Sequence, residues 1–230
     1  MGTIFLVTFS SAMGIEVKIC GITNKGDAIN SLQAGADYLG FILYSQSPRF
    51  INLENVNRIS ECLKDTSGKT VAVDVAPTLP DVVLMQQADF QFYQFHFPLA
   101  LEKETILQWS ELVGPANLWL APKLPPGARF PDYLLEYAET FVIDAYSQNK
   151  FGGTGTSADL ESFAKYQSLF PEKKWILAGG LGPKNVVSSV RKTNARAVDL
   201  NSAVEQSPGQ KDFGKIRSVF EALRREALIK

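Results

Sequence analysis

The sequence predicts an α/β protein with a single-domain (β/α)8 fold, the TIM barrel. Eight apolar, strand-like runs recur from Val17 onward, a segment with helical character lies between each pair of runs, and one more follows the last run. Such alternation predicts a parallel sheet with right-handed crossovers. Eight repeats within 230 residues indicate that the sheet closes into one barrel.

Each predicted strand is a short apolar run of the kind that parallel sheets use. In chain order the predicted strands are VKIC (17–20), YLGFIL (38–43), TVAVDV (70–75), FQFYQF (90–95), ANLWLAP (116–122), TFVIDA (140–145), KWILAGG (174–180) and AVDLNS (197–202).

The predicted helices are amphipathic segments between these runs. The clearest is at the C-terminus, where apolar residues follow the i, i+3, i+4, i+7 pattern of one helix face. These residues are Ile216, Val219, Phe220 and Leu223. Segment 186–190 repeats the pattern after a proline suited to a first helical turn. A Pro-Asp pair before an apolar stripe also predicts helix starts in segments 79–87 and 130–138.

The main alternative to a barrel is an open doubly wound sheet. That fold usually places a G-x-G-x-x-G turn after its first strand, whereas CGITNKG (20–26) stands here. The Pro-rich segment 122–130 is short enough to be one loop, and no change in composition marks a domain linker. We therefore expect residues 1–16 to be a loosely ordered extension and residues 17–230 to form one catalytic barrel domain.

Composition narrows the function. A formal net charge of −1 gives no field for attracting nucleic acid or an anionic membrane. The two cysteines, Cys20 and Cys62, together with His96 cannot build a Cys/His zinc site, so no metal is expected. Few cysteines suit a reducing compartment, and the apolar run IFLV near the N-terminus is too short for a signal-peptide core or a membrane span. We expect a cytoplasmic enzyme.

Small residues follow the last three predicted strands, at the barrel end where chemistry occurs. Glycines allow backbone N–H groups to approach an anion, and a helix N-terminus adds a favourable dipole. Tight turns are the alternative explanation, but three such loops on adjacent strands favour a phosphate site. The candidate residues are Gly153, Gly155, Gly179, Gly180, Asn201 and Ser202.

Other strand ends carry candidate acids, bases and anion ligands. Arg49 follows Pro48 after strand two and could hold a carboxylate or phosphate, although a surface arginine is equally compatible. Cys20 and Asp144 end strands one and six, so a thiolate base and a carboxylic acid could face each other. The residues alone favour a packed thiol and a turn aspartate. His96 is a further candidate for acid–base chemistry or substrate binding. The alternative is a hydrogen-bonded residue on the rim of the barrel.

Taken together, the motifs resemble those of the phosphoribosylanthranilate isomerase family, in the same order and over nearly the whole chain from Val17. The matching motifs are VKICGIT, GADYLGFIL, SPRF, QFH, VIDAY, GGTGTS, LAGGLGPKNV, VDLNSAVE and PGQKD. The resemblance implies a (β/α)8 barrel of tryptophan biosynthesis. Its reaction would be the Amadori rearrangement of N-(5-phosphoribosyl)anthranilate to 1-(2-carboxyphenylamino)-1-deoxyribulose 5-phosphate. This aldose–ketose isomerisation would need no metal and no organic cofactor.

The resemblance also implies roles for the candidate residues. Cys20 would be the general base that removes the proton from C2′ of the ribose, and Asp144 the general acid that protonates the ring oxygen. Arg49 would hold the anthranilate carboxylate, and the three small-residue loops would hold the phosphate. His96 and Asp199 would also contact the substrate.

Several positions depart from the family pattern. Phe97 replaces a glycine and is expected to narrow the mouth, and Asp74 replaces an apolar residue and is expected to repel anionic groups and raise neighbouring carboxyl pKa values. Thr156, Asn201 and Ala203 also differ from the usual residues. An isomerase for another sugar phosphate and a non-catalytic barrel that binds a phosphorylated ligand therefore remain alternatives. A small phosphorylated molecule is the expected partner in each case, and the chain could be a monomer or a homodimer.

Overall fold

A computed structural model describes residues 14–64, 66–125, 127–145 and 159–229. Eight parallel strands pair in chain order, and the first strand pairs with the eighth. The sheet is therefore a closed barrel, and the predicted fold class is confirmed. Among the described residues no helix is long and apolar enough to cross a membrane.

The strands of the barrel are β1 (Glu16–Cys20), β2 (Tyr38–Ile42), β3 (Lys69–Val75), β4 (Phe92–Pro98), β5 (Leu118–Lys123), β6 (Thr140–Ile143), β7 (Lys174–Leu177) and β8 (Ala197–Leu200). A hairpin of β9 (Glu205–Ser207) and β10 (Gln210–Lys211) follows β8 and has no counterpart in the prediction. The helices are α1 (Lys25–Ala34), α2 (Leu53–Glu61), α3 (Leu79–Met85), α4 (Lys103–Val113), α5 (Leu160–Leu169), α6 (Val186–Thr193) and α7 (Phe213–Arg225).

The predicted helix in segment 130–138 is wrong. A short 3-10 helix, Asp132–Glu136, occupies it and connects β5 to β6. The amide of Leu134 bonds to the carbonyl of Pro131 at 3.0 Å, which closes the tighter i, i+3 turn. Leu134 is the one buried residue of this element, so little apolar packing supports a longer helix.

The predicted start of α3 is confirmed by its cap, whereas Pro183 lies in a turn before α6 rather than in its first turn, and α6 begins at Val186 without a side-chain cap. Thr78 and Asp81 form a reciprocal capping box before α3, and Pro80 lies in its first turn. The predicted apolar face of α7 is buried in full. The predicted N-terminal extension, residues 1–16, lies mostly outside the described residues, although Glu16 already belongs to β1.

Alternating residues of each strand serve two layers of packing. Outward-facing side chains form a large apolar layer against the helices, and inward-facing ones form a smaller apolar cluster inside the barrel. Phe97 belongs to the outer layer, fully buried, with its ring 5.9 Å from that of Trp109. The prediction that Phe97 narrows the mouth is therefore wrong: β4 extends through Pro98, so His96 faces the pocket and Phe97 faces away from it.

Candidate active site

A pocket of about 700 Å³, its open mouth included, lies at the carboxyl ends of the strands. It brings together every predicted site residue that the structure describes. These are Cys20, Arg49, His96, Asp144, Gly179, Gly180, Asp199, Asn201 and Ser202. Gly153, Gly155 and Thr156 lie outside the described residues.

Cys20 is the last residue of β1 and lies directly beside Gly40 of β2 in the strand register. A Cβ atom added to Gly40 would come within 2.8 Å of the Cys20 Sγ and 3.0 Å of the Lys18 Nζ. The glycine therefore provides the space that these two side chains fill. Burial raises the pKa of the Cys20 thiol, while the nearby ammonium groups of Lys18 and Lys211 oppose that rise.

Lys18 lies next to the pocket lining, where it pairs with Asp199, and the sequence interpretation missed it. Its Nζ forms an ion pair of 2.8 Å with Oδ2 of Asp199, and both side chains are buried. Asp199 was expected to contact substrate, but its Oδ2 is committed to this lysine, and its buried Oδ1 has no hydrogen-bond partner among the described residues. The available signal was the two-residue spacing from Cys20, which puts Lys18 on the same face of the strand.

Asp144 follows β6 immediately and lines the same pocket as Cys20. Its Oδ1 accepts a hydrogen bond of 2.7 Å from the backbone N–H of Ala145. Burial, with a contribution from the Asp199 carboxylate, raises the pKa of Asp144 to about 6, against the effects of that hydrogen bond and of Lys18. A carboxyl group with this pKa keeps a protonated fraction near neutral pH, which a general acid requires.

Arg49 is held by Glu205 in a bidentate ion pair. The Arg49 Nε lies 2.9 Å from Oε1 and Nη2 lies 2.7 Å from Oε2 of the glutamate. The Nζ of Lys211 donates to the same Oε1 at 2.8 Å and to Oδ1 of Asn201 at 3.0 Å. The third guanidinium nitrogen of Arg49, Nη1, takes part in none of these bonds. Glu205 and Lys211 occur in the quoted motifs, but the sequence interpretation gave them no role.

Gly21 lies beneath this network with a φ of +75°. A Cβ atom here would come within 2.7 Å of the Asn201 Oδ1 and 2.9 Å of the Arg49 Cδ. Both its conformation and its surroundings thus call for glycine directly after Cys20.

The imidazole of His96 lies beside the amide of Gln94, with 2.9 Å between their Nε2 atoms. Burial, with Lys18 nearby, lowers the pKa of His96 to about 4, so the ring is neutral at physiological pH. His96 can therefore form hydrogen bonds to a substrate without adding charge to the pocket.

Asp74 lines the pocket from the end of β3. Its Oδ1 accepts a hydrogen bond of 2.6 Å from the N–H of Val75, and burial raises its pKa to about 6. Burial and Asp199, rather than Asp74, account for the raised pKa of Asp144.

The loop after β7 has the features expected of an anion site. Gly179 and Gly180 have φ angles of +98° and +62°, and a Cβ atom on Gly179 would come within 2.6 Å of the Ala145 backbone nitrogen. The side chain of Asn185 accepts from the N–H of Gly182 at 2.8 Å and donates to the carbonyl of Gly180 at 3.0 Å. This loop is thus held in a defined shape beside the start of α6.

A sequence model of the N-(5′-phosphoribosyl)anthranilate (PRA) isomerase family matches residues 17–222. An N-(5′-phosphoribosyl)anthranilate isomerase from Synechococcus sp. is 30% identical over 222 residues, which cover 95% of this chain and 100% of the relative.

Two solved structures are similar along almost their whole length. The phosphoribosyl anthranilate isomerase from Thermus thermophilus has a TM-score of 0.78 and 32% identity, covering 92% of this chain and 100% of that one. A phosphoribosyl anthranilate isomerase in complex with reduced 1-(o-carboxyphenylamino)-1-deoxyribulose 5-phosphate has a TM-score of 0.74 and 29% identity, covering 92% and 99%. The chain described here therefore belongs to the phosphoribosylanthranilate isomerase family.

Proposed function

We propose that Cys20 and Asp144 are the general base and general acid with which this isomerase converts N-(5-phosphoribosyl)anthranilate to 1-(2-carboxyphenylamino)-1-deoxyribulose 5-phosphate. The observation that carries the proposal is their meeting in one pocket at the carboxyl end of the barrel. The thiol lies among buried cations, and the carboxyl group has a raised pKa. Groups of this kind suit proton transfer at two atoms of one bound molecule.

The proton transfers can be followed atom by atom. Asp144 donates its proton to the ring oxygen as the bond from that oxygen to C1′ breaks, and the nitrogen lone pair forms a C1′=N bond. The Cys20 thiolate then removes the proton from C2′, and the released electron pair forms a C1′=C2′ bond and neutralises the nitrogen. The resulting enol becomes the ketone product. One proton has left Asp144 and one has reached Cys20, so exchange with water restores both groups.

Anchoring at both ends of the substrate would position C2′ at the sulfur. The phosphate fits the loops after β7 and β8, near Gly179, Gly180 and Ser202. The anthranilate carboxylate fits the Nη1 side of Arg49, because Glu205 occupies the other side of the guanidinium. Holding a substrate at two charged ends supplies a large part of enzymatic rate enhancement.

This reaction uses a small phosphorylated substrate, and the proposal includes no metal, cofactor, nucleic acid or membrane partner. A cytoplasmic location is part of the proposal, since the reaction belongs to amino-acid biosynthesis. A related solved structure concerns monomers generated from the dimeric phosphoribosylanthranilate isomerase of Thermotoga maritima. Monomer and homodimer are thus both compatible with the family.

Another sugar phosphate is the second candidate substrate. The observation in its favour is Asp74, an additional carboxylate in the pocket that the usual family pattern lacks. A carboxylate near two anionic substrate groups weakens their binding, unless it is protonated or receives a hydrogen bond from the ligand.

The test is growth of a tryptophan auxotroph that lacks this isomerase, together with turnover of phosphoribosylanthranilate by the purified protein. The unmodified chain is expected to restore growth, and Cys20→Ala is expected to abolish the rescue. Cys62→Ala is the matched control, because Cys62 is exposed at the end of α2. Turnover by Cys20→Ala equal to that of the control would exclude Cys20 as the base. Failure of the unmodified chain, with binding of other sugar phosphates, would favour the second candidate.

A further inference from the structure

The buried charges of the described chain gather at the carboxyl end of the barrel. The five buried charged side chains among the described residues are Lys18, Arg49, Asp199, Glu205 and Lys211. Arg49 and Lys211 share Glu205, while Lys18 has Asp199. Three cations thus face two carboxylates. A buried charge without a counter-charge is costly, so this cluster favours one further negative charge nearby.

Three ionisable groups that line the pocket can supply that charge: Asp144, Asp74 and Cys20. When Asp144 is ionised, Cys20 can remain a thiol. When Asp144 holds the proton that it is to donate, the remaining sources of the charge are the Cys20 thiolate, the Asp74 carboxylate at the end of β3 and the substrate. The reactive state, with a protonated acid and a deprotonated base, therefore has the same net charge as the resting state.

Lys18 is the cation placed to interact with the sulfur. Both residues point into the barrel from β1, and the Cβ position above Gly40 lies 3.0 Å from the Lys18 Nζ and 2.8 Å from the Cys20 Sγ. The two atoms are therefore no further apart than the sum of those distances. Lys211 donates to two groups, Glu205 and Asn201, whereas Lys18 donates to Asp199 and lies on the same strand as Cys20.

We propose that Lys18 is a positioning residue of the isomerase, which acts as the counter-ion of the Cys20 thiolate, and that Asp199 limits how strongly its charge acts on the sulfur. The inference rests on the proposed role of Cys20 as the base. It gives a function to a lysine inside the barrel that does not need to contact the substrate.

The electrostatics of the neighbouring groups agree with this geometry. Burial has the largest effect on the pKa of Cys20 and raises it, and Asp199 raises it further. Lys18 lowers this pKa, and Lys211 lowers it by a smaller amount. Burial lowers the pKa of Lys18, but Asp199 and Cys20 outweigh this effect and raise it above the ordinary value, so the lysine is charged. The other titratable or charged groups around the pocket are Tyr44, Arg49, Asp74, His96, Asp144 and Glu205.

The test measures the reactivity of Cys20 in the absence of substrate. In a Cys62→Ser background Cys20 is the one cysteine of the chain, and its alkylation rate by iodoacetamide against pH reports the thiol pKa. Lys18→Met is expected to raise the pH midpoint by about one unit and to slow alkylation about tenfold at neutral pH. Asp199→Asn is expected to lower the midpoint and to speed alkylation several-fold, because the lysine charge then acts on the sulfur alone.

Opposite shifts distinguish this role from a purely structural one. Loosening of the barrel would expose Cys20 in both variants and would move both midpoints in the same direction. An unchanged or lowered midpoint in Lys18→Met would overturn the proposal. If Lys18→Met does not fold, the Asp199→Asn variant becomes the test. An unchanged or raised pH midpoint of alkylation in Asp199→Asn would overturn the proposal.

Kinetics separate this inference from the proposed function. In Lys18→Met we expect kcat to fall at least tenfold at neutral pH, with KM changed less than about threefold. The deficit relative to the parent should narrow as the pH rises above the pKa of the parent thiol, because the parent then gains no further thiolate. If Cys20→Ala retains full turnover, the base assignment fails, while the alkylation data still decide whether Lys18 controls the thiol. A pH-independent loss of kcat in Lys18→Met, with the alkylation profile of the parent, would assign the lysine to the scaffold.

Discussion

The two faces of β1 differ sharply in chemistry although they share one backbone. Val17 and Ile19 point outward and join the apolar layer beneath the helices, whereas Lys18 and Cys20 point into the barrel. Strand β8 repeats the arrangement, with Asp199 inside and apolar neighbours outside. Outward residues thus hold the barrel together, and inward residues near its carboxyl end carry charge. Substitutions of outward residues should therefore mainly lower the free energy of unfolding, and substitutions of inward residues should mainly lower activity.

Asp144→Asn is expected to give the largest loss of activity. The amide cannot donate the proton that the ring oxygen needs, so kcat should fall about 1,000-fold, within the usual range for general acid catalysis. The free energy of unfolding should not fall at neutral pH, because Asn keeps the shape of the side chain and removes a carboxyl group whose ionisation burial disfavours. Steady-state turnover and urea unfolding measure the two effects. Asp89→Asn, an exposed change before β4, is the control and should leave both values unaltered.

Trp109→Ala tests the outward face. Trp109 is fully buried on α4, with its ring 5.0 Å from that of Phe95 and its Nε1 donating to the carbonyl of Pro77 at 3.1 Å. Removing it should lower the free energy of unfolding by about 3–5 kcal/mol. Turnover per folded molecule should stay within about twofold of the parent. A large loss of kcat without destabilisation would break the division between the two faces.

Gly40→Ala tests the inward face with a single methyl group. The added Cβ would collide with Cys20 and Lys18, so both must shift. We expect about 1–3 kcal/mol of destabilisation from overpacking and at least a tenfold loss of kcat from the displaced sulfur. Gly26→Ala in the exposed first turn of α1 is the matched control, since the nearest side-chain atom to its Cβ would be 3.3 Å away. Equal kinetics for the two variants would contradict the expectation.

The smallest expected effect concerns Asp74 and pH. Its folded-state pKa of about 6 lies above the ordinary 3.8, so its carboxyl group binds a proton more readily in the folded chain. The stability that it contributes is present below about pH 4 and is lost as the pH rises through 6. Between pH 4 and pH 7 the free energy of unfolding of Asp74→Asn should therefore rise by about 2 kcal/mol relative to that of the parent. Urea unfolding of both proteins across this range measures the difference, and a constant difference would contradict the pKa shift.

The sequence predicted the barrel and the meeting of Cys20 with Asp144, because alternating strands and helices determine which strand ends share a mouth. It did not predict that Lys18 pairs with Asp199, 181 positions away along the chain, or that Arg49 pairs with Glu205, 156 positions away. Such pairs depend on which residues of distant strands face inward at the same level once the sheet has closed.

Two predictions of local structure were wrong for a related reason. The direction of Phe97 follows from where β4 ends, and the apolar run alone predicted an end at residue 95 rather than at Pro98. The stripe in segment 130–138 was compatible with an α-helix, but a single buried leucine supports only a 3-10 turn there. In both cases tertiary packing, rather than local pattern, decided the geometry.

The bare backbone at Gly40 has a consequence for engineering. Since atoms of β1 fill the space where β2 would otherwise carry a side chain, neither strand can be redesigned alone at this level. A bulkier base in place of the thiol would meet the glycine backbone, and a side chain on β2 would displace the lysine. Introducing a different catalytic group at this position would therefore require simultaneous substitutions on β1 and β2.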